Sequence, residues 1–506
     1  MSRASEVLAE EIGAINDILC AVALLQWDNR TMMPTGGAQT RGQQIATLKG
    51  LARDRLMSTA TRRAVDGLLI ETEGWADDDL SRRAALTVQA AIAHHERVDG
   101  AMLRRQAELG PVAGAAWAKA RETNDFALFL PYLTESVALA RESAEAIGHD
   151  GHPYSAMVAL YEPGETAGSI KAFFSTLRAG ILPILDAARG RARDDLFDRR
   201  FPVEAQRALC REFAELTGYD FGRGRIDTAV HPFEISLTRS DVRITTRYRE
   251  EFLPGALFGT MHEAGHGLYE QNVSPNLTRT VFATDLILLY AVGGTSFGAH
   301  ESQSRLWENH VGRSLPFWQR NLPRLKSHFP GLVDDVSPER FTRAVNYVEP
   351  GFIRVEADEL TYDLHVMLRA EIEAALMDGS LLPCDLPGAW NEAVRRDLGL
   401  EVPDDRRGCL QDVHWSSGYF GSFPTYTIGN VMAAQLMEAL RAKDPGLDEG
   451  LTEGDYGRLR DHLTNAVCRH GRSRSRDEIL REATGEALTP GPYLRYLEAK
   501  FADPDR

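Results

Sequence analysis

ESVALARESAEAI, from Glu135 to Ile147, sets Val137, Ala140, Ala144 and Ile147 three or four residues apart, so one face of a helix is apolar. The stretch from Ala84 to Leu109 has the same period, and most of the chain follows it. Turn signals at Pro163-Gly164, Gly218 to Gly224, Pro254-Gly255, Pro330 to Pro338, Pro383 to Gly388 and Pro403 to Gly408 punctuate these segments, and none is long enough to be a flexible linker. The expected fold class is mainly α. The one clear exception lies between Glu234 and Arg249, where Ile235 and Leu237 alternate, a turn follows at Arg239 to Asp241, and Val242 and Ile244 alternate again. A small β-hairpin is expected there, carrying Arg243 and Arg247, whose contact with peptide or with structure the pattern leaves open.

The chain has 506 residues, 43% hydrophobic and 26% charged, enough to bury a full core. The formal charge of -16 repels phosphate backbones and anionic lipid, so no nucleic-acid or membrane surface is expected. Five cysteines, Cys20, Cys210, Cys384, Cys409 and Cys468, are odd in number and form no C-x-x-C pair. They argue against a disulfide framework or a thiolate metal site and point to a reducing, cytoplasmic setting. The apolar run Ile18 to Leu25 follows Glu10, Glu11 and Asp17 where a signal peptide has a basic segment, so it reads as the buried stripe of an N-terminal helix. Val281 to Val292, interrupted by Asp285, is too short for a membrane span. Arg469 to Arg476 reads as a solvated basic loop.

Downstream of the hairpin, Met261-His262-Glu263-Ala264-Gly265-His266 matches H-E-x-x-H. Four helical residues turn the chain by about 400°, so the two imidazoles stand about 40° apart, one turn displaced, where both reach one ion. Zn²⁺ suits neutral imidazole, with Co²⁺ as an alternative, and Glu263 points beside the metal as a candidate general base. Pro254 and Gly255 mark the start of this helix. A catalytic site needs a third protein ligand and an open fourth position. No H-x-x-G-x-x-H extension follows, so the ligand is sought on a later helix, in Ala299-His300-Glu301-Ser302-Gln303-Ser304-Arg305-Leu306-Trp307-Glu308. Glu301 is the first choice. The competing reading makes it a helix carboxylate paired with Arg305 at i+4.

These motifs sit among others in an order that resembles the carboxypeptidase Taq family of zinc metallocarboxypeptidases over nearly the whole chain. They are Trp27-Asp28 with Thr31-Met32-Met33-Pro34, Asn124-Asp125-Phe126, Tyr161-Glu162-Pro163-Gly164, His231-Pro232-Phe233 and Asp241-Val242-Arg243-Ile244-Thr245-Thr246-Arg247. Further on come His300-Glu301-Ser302-Gln303-Ser304-Arg305, Ile353-Arg354-Val355-Glu356-Ala357-Asp358-Glu359-Leu360-Thr361-Tyr362, Gln411-Asp412-Val413-His414-Trp415 and Phe423-Pro424-Thr425-Tyr426. The resemblance implies a single metallocarboxypeptidase domain over 1–506, with a fold like that of neurolysin and angiotensin-converting enzyme. In that fold two helical lobes flank a deep substrate cleft, with N-terminal helices at its rim. It implies peptide substrates, broad removal of single C-terminal residues and a homodimer. Carried over by position, Glu301 is the third metal ligand, Arg354 meets the substrate's terminal carboxylate, and His414 lies beside the scissile carbonyl. The competing readings are a brace from Arg354 to Glu356 or Asp358, and a His414 packed beside Trp415. Those same acidic residues are candidates to orient His262 or His266.

Two departures from the family pattern stand out. The interval from His266 to Glu301 is roughly ten residues longer, with the surplus around Val281 to Val292 expected to lengthen a helix, line the cleft or enlarge a subunit contact. Ser422 stands where relatives commonly have Tyr before Phe-Pro, which leaves Tyr426 as the nearest phenol for a catalytic hydrogen bond, or else as a buried loop Tyr.

Overall fold

The computed structural model describes residues 2–98 and 100–502. Among these are twenty α-helices and five short strands, so the mainly α expectation holds. None of the helices is long and apolar enough to cross a membrane. The first helix, Arg3–Thr31, is capped by Ser2, whose side chain accepts from the Ser5 N–H. Leu19, Val22 and Ala23 are buried and Leu24 is exposed, so the run from Ile18 to Leu25 contributes those three residues to the inner stripe of that helix. The Ala84 to Leu109 stretch belongs to two helices, Leu80–Arg97 and Gly100–Thr123.

The chain divides into two compact units. The first comprises Met1–His95, Arg193–Val345 and Met432–Leu488. Its central element is the helix Leu253–Gln271, which opens with Pro254 in its first turn, as expected. Leu257, Phe258 and Met261 join a core with Trp307 and Trp318, and Ala264 packs on Val242 and Ile244. Tyr269 joins a third cluster with Ile12, Ile15 and Leu19 of the first helix. A helix packed on so many sides is held stiffly, which suits ligands that must keep a fixed spacing.

The expected hairpin is present as β2, Glu234–Thr238, antiparallel to β3, Asp241–Thr246. A further strand, β1, Gly224–Thr228, pairs in parallel with β3, giving the order β1-β3-β2. Its sequence, Gly-Arg-Ile-Asp-Thr, buries only Asp227 and so offers no apolar alternation to read.

The Val281 to Val292 stretch lengthens no helix. It forms a short 3-10 turn, Val281–Ala283, and a two-stranded ribbon, β4 (Thr284–Asp285) with β5 (Tyr290–Ala291). Val281, Phe282, Leu286 and Leu289 are buried in the cluster that holds Ile12, Ile15 and Leu19, so most of its apolar surface serves the unit's own core.

The second unit comprises Glu96–Ala192, Asn346–Val431 and Thr489–Arg506. Leu130–Ile147 is a helix that buries Val137, Ala140 and Ala144. The most buried helix, Glu359–Asp378, is capped by Asp358, which accepts from the N–H groups of Leu360 and Thr361, and ends at a left-handed Gly379. Asp363, Arg369 and Glu373 are completely enclosed within it. Buried charges need partners, and those of Arg369 and Glu373 lie on the loops described below.

Candidate active site

His262 and His266 rise from one face of Leu253–Gln271 with ring centroids 4.9 Å apart. The helix Phe297–Arg305 brings Glu301 to both, its Oε2 lying 3.5 Å from His262 Nε2 and 3.2 Å from His266 Nε2. One ligand atom from each residue falls within 4.8 Å of the other two. Two imidazole nitrogens and one carboxylate oxygen so convergent fit a divalent ion of the zinc type. The pairing of Glu301 with Arg305 is also present, since Arg305 Nε donates to Glu301 Oε1 at 2.7 Å. The two readings of Glu301 are therefore compatible: one oxygen is held by Arg305 and the other faces the imidazoles. Burial opposes ionisation of Glu301, but the charges of His262 and Arg305 and the His266 hydrogen bond hold its carboxyl well below the usual range. Burial pushes His266 down to about 3, leaving the neutral imidazole that metals bind.

Each histidine is oriented from behind. With Nε2 of His262 facing Glu301, its Nδ1–H donates to Glu308 Oε2 at 3.0 Å. Glu308 also accepts from Arg313 at 3.0 Å and lies 3.4 Å from Arg305 NH1. It sits on a π-helical segment, Leu306–Gly312, which continues the Glu301 helix. Behind His266 stands His300, the two Nδ1 atoms 2.5 Å apart. The groups found behind the two histidines are Glu308 and His300. Asp358 is occupied as a helix cap.

Glu263 is 6% exposed, and burial pushes its carboxyl up to about 7, with His262 opposing and the Glu301 and Glu308 carboxylates adding to the rise. That value suits a group that takes and returns a proton near neutral pH. Nearby on β2, burial and then the Glu270 and Glu263 carboxylates push the carboxyl of half-buried Glu234 well above its usual range, with Oε2 4.0 Å from His300 Nε2. Arg243 pairs with Asp241 and lies over Trp27, while Arg247 is exposed and donates to the Val230 carbonyl at 3.4 Å. Both have structural partners.

In the second unit, Arg354, His414 and Tyr426 come together. Arg354 is 7% exposed; its Nε and NH2 donate to Asp412 Oδ1 at 3.2 and 3.1 Å, and its NH1 to the Tyr362 hydroxyl at 3.1 Å. Those bonds use three of a guanidinium's five N–H donors, leaving two for a ligand. The expected alternative partners, Glu356 and Asp358, are not the ones used. The guanidinium lies 5.1 Å from the Tyr426 ring centroid. Asp412 accepts a further bond, from Arg369 Nε at 2.6 Å. Burial opposes this anion, but the Arg369 and Arg354 charges hold its carboxyl far below the usual range. His414 Nε2 lies 3.5 Å from the Tyr426 hydroxyl, and burial beside Arg354 pushes the imidazole down to about 4. Ser422 is buried with its hydroxyl unbonded among the described residues, so the phenol that meets His414 is that of Tyr426.

Residues 7–501 match the carboxypeptidase Taq (M32) metallopeptidase family. The chain belongs to that family. As an M32 metallocarboxypeptidase it is a peptide hydrolase. It is 41% identical to thermostable carboxypeptidase 1 of Thermus thermophilus, an alignment covering 95% of this chain and 94% of the relative. To carboxypeptidase 1 of Bacillus subtilis it is 36% identical, covering 96% and 95%. The crystal structure of an M32 carboxypeptidase from Deinococcus radiodurans superposes with a TM-score of 0.93 at 38% identity, covering 99% of each chain.

Glu308 and Glu270 are the residues around this candidate site that motif reading passes over. Glu301, Arg305 and Glu308 stand at i, i+4 and i+7, a one-face spacing that marks Glu308 as a neighbour of Glu301. Glu270 likewise follows His266 by four residues and His262 by eight.

Proposed function

We propose that this M32 metallopeptidase is a zinc carboxypeptidase of broad specificity that removes single residues from peptides ending in a free carboxylate. One observation carries the reading: Glu301 Oε2 stands within 3.5 Å of Nε2 on both His262 and His266. These three residues would hold the ion. A zinc ion bound there supplies Lewis acidity that polarises a carbonyl and lowers the pKa of water from 15.7 to about 7.

Glu263 accepts the proton of the attacking water and passes it to the leaving amine. His414, neutral in its buried setting, donates a hydrogen bond to the carbonyl oxygen as negative charge grows there, with Tyr426 beside it; one such donor is worth about 3 kcal/mol. Arg354 offers its two remaining N–H donors to the substrate's terminal carboxylate. We assign these roles within one metallocarboxypeptidase domain over residues 1–506. We further propose a cytoplasmic homodimer, consistent with five free thiols and with the family resemblance. Co²⁺ is the expected substitute ion.

Mass spectrometry of a free-acid peptide incubated with enzyme tests the reading. A ladder of single-residue losses is expected, stopped by chelator and restored by Zn²⁺, with the C-terminally amidated peptide left intact. Equal cleavage of the amidated peptide removes Arg354 from its role, and internal cuts or dipeptide release replace the exopeptidase reading with an endopeptidase or dipeptidyl carboxypeptidase.

A further inference from the structure

The apolar surplus between His266 and Glu301 ends at Gly293-Gly294, and these two residues face the back of the metal centre. Glu270 lies one helical turn beyond His266 on the same helix. Its carboxylate accepts from the N–H groups of both glycines, at 2.9 and 3.0 Å, and lies 3.0 Å from His300 Nε2. His300 is sandwiched between His266 and Tyr269, with centroids 4.6 and 5.1 Å away and rings inclined by 23° and 19°.

The protons in this chain are determined by its ends. When the ion takes the Nε2 lone pair of His266 beside Glu301, the hydrogen of His266 resides on Nδ1 and is donated to the Nδ1 lone pair of His300. His300 then carries its own hydrogen on Nε2 and donates it to Glu270. Metal-ligating histidines usually donate directly to a carboxylate or a backbone carbonyl; here a second imidazole stands between. The approach requires glycine: a Cβ on Gly294 would fall 2.5 Å from His300 Cδ2, and one on Gly293 would fall 3.0 Å from Glu270 Oε2. The ribbon before them is tied down by Arg472, which donates to the Gly294 carbonyl at 2.7 Å and to Asp285 at 3.1 Å.

We propose that His300 and Glu270 are positioning residues for the metal ligand His266, setting its tautomer and ring orientation, and that the 281–292 ribbon serves to hold Gly293 and Gly294 against Glu270. The proposal rests on the reading that His262, His266 and Glu301 bind a metal ion. It gives the surplus segment a task within the metal centre.

Zinc titration of the metal-free, full-length protein against a chromophoric chelator tests it without reference to activity. His300→Phe keeps a flat ring in the stack but neither accepts nor donates; His300→Gln restores one acceptor and one donor. The expected result is a 10- to 100-fold loss of zinc affinity in the Phe variant. The Gln variant retains affinity within about threefold, and the metal-free proteins melt alike. Gly294→Ala, which presses a methyl group onto His300, gives a loss like that of the Phe variant and decides alone if His300→Phe does not fold. Parent-like zinc affinity in the Phe and Ala variants overturns the relay and leaves the metal centre standing, as does an equal loss in the Phe and Gln variants. A parent protein that binds no zinc overturns the metal centre itself.

Discussion

Gly265, inside the H-E-x-x-H motif, lies against the backbone of Gln303: a Cβ at position 265 would stand 2.6 Å from the Gln303 carbonyl oxygen and 2.6 Å from Ser304 Cα. Its missing side chain lets the helices Leu253–Gln271 and Phe297–Arg305 close until one Glu301 oxygen reaches both imidazoles. The obstacle is backbone, which cannot rotate aside as a side chain can. Gly265→Ala is therefore expected to lower stability by about 1–3 kcal/mol through overpacking. Zinc affinity should fall with it because Glu301 is displaced. Thermal melting and zinc titration of the same variant check both; an unchanged zinc constant would show that helix spacing does not set the triad.

Glu263→Gln keeps size and buried shape but removes proton transfer. The expected outcome is a kcat lower by about 10²–10⁴-fold. Zinc affinity and melting temperature should stay close to those of the parent, since Glu263 is not among the three converging ligand residues. Initial rates beside a zinc titration decide it, and substantial turnover in this variant removes Glu263 from the base role.

Much of this was legible because it is local. H-E-x-x-H places two imidazoles on one face through helical spacing alone, and the alternation in Glu234 to Arg249 specifies a hairpin through the two-residue period. What was hidden depends on contacts between distant segments. Arg354 could be read as bracing Glu356 or Asp358 because those are its neighbours in sequence, yet its partner Asp412 is 58 residues away. Likewise β1 has no apolar pattern of its own and is a strand because β3 lies beside it. The apolar surplus at Val281 to Val292 was plain in the sequence, but its burial against the first helix was not.

Glu373 links stability to pH. Its carboxylate accepts from the Trp415 indole N–H at 2.9 Å, the Tyr154 hydroxyl at 2.8 Å and the Gly421 N–H at 3.0 Å, holding both ends of the loop that follows His414. Burial outweighs these bonds and pushes it up to about 7. A folded pKa above the unfolded value, near 4.3, means that the folded state binds more protons between those limits. Its stabilising contribution is full below about pH 4 and is lost as pH rises to about 7, at up to about 1.4 kcal/mol per pH unit within that window, with no further change beyond it. Glu373→Gln removes that slope, so the gap between parent and variant should narrow from pH 5 to pH 8. Denaturation curves at the two pH values measure it, and a constant gap refutes the assignment.

Asp412 is the only carboxylate bonded to both Arg354 and Arg369 among the described residues, and all three side chains are buried. Removing it leaves two guanidiniums enclosed without a counter-charge, and breaking a buried pair in this way costs about 3–5 kcal/mol. Asp412→Ala is thus expected to melt well below the parent. Where it folds, Arg354 keeps its charge but loses the bonds that aim it, so KM for a free-acid peptide should rise more than kcat falls. Because the Asp412 carboxyl is held far below its unfolded value near 3.9, its contribution is complete above that pH and is lost only as the medium becomes more acid. The stability gap between parent and Asp412→Ala should therefore be flat from pH 5 to pH 8, opposite in behaviour to that of Glu373→Gln. Melting curves of the two variants measured side by side separate a depressed carboxylate from a raised one within the same unit.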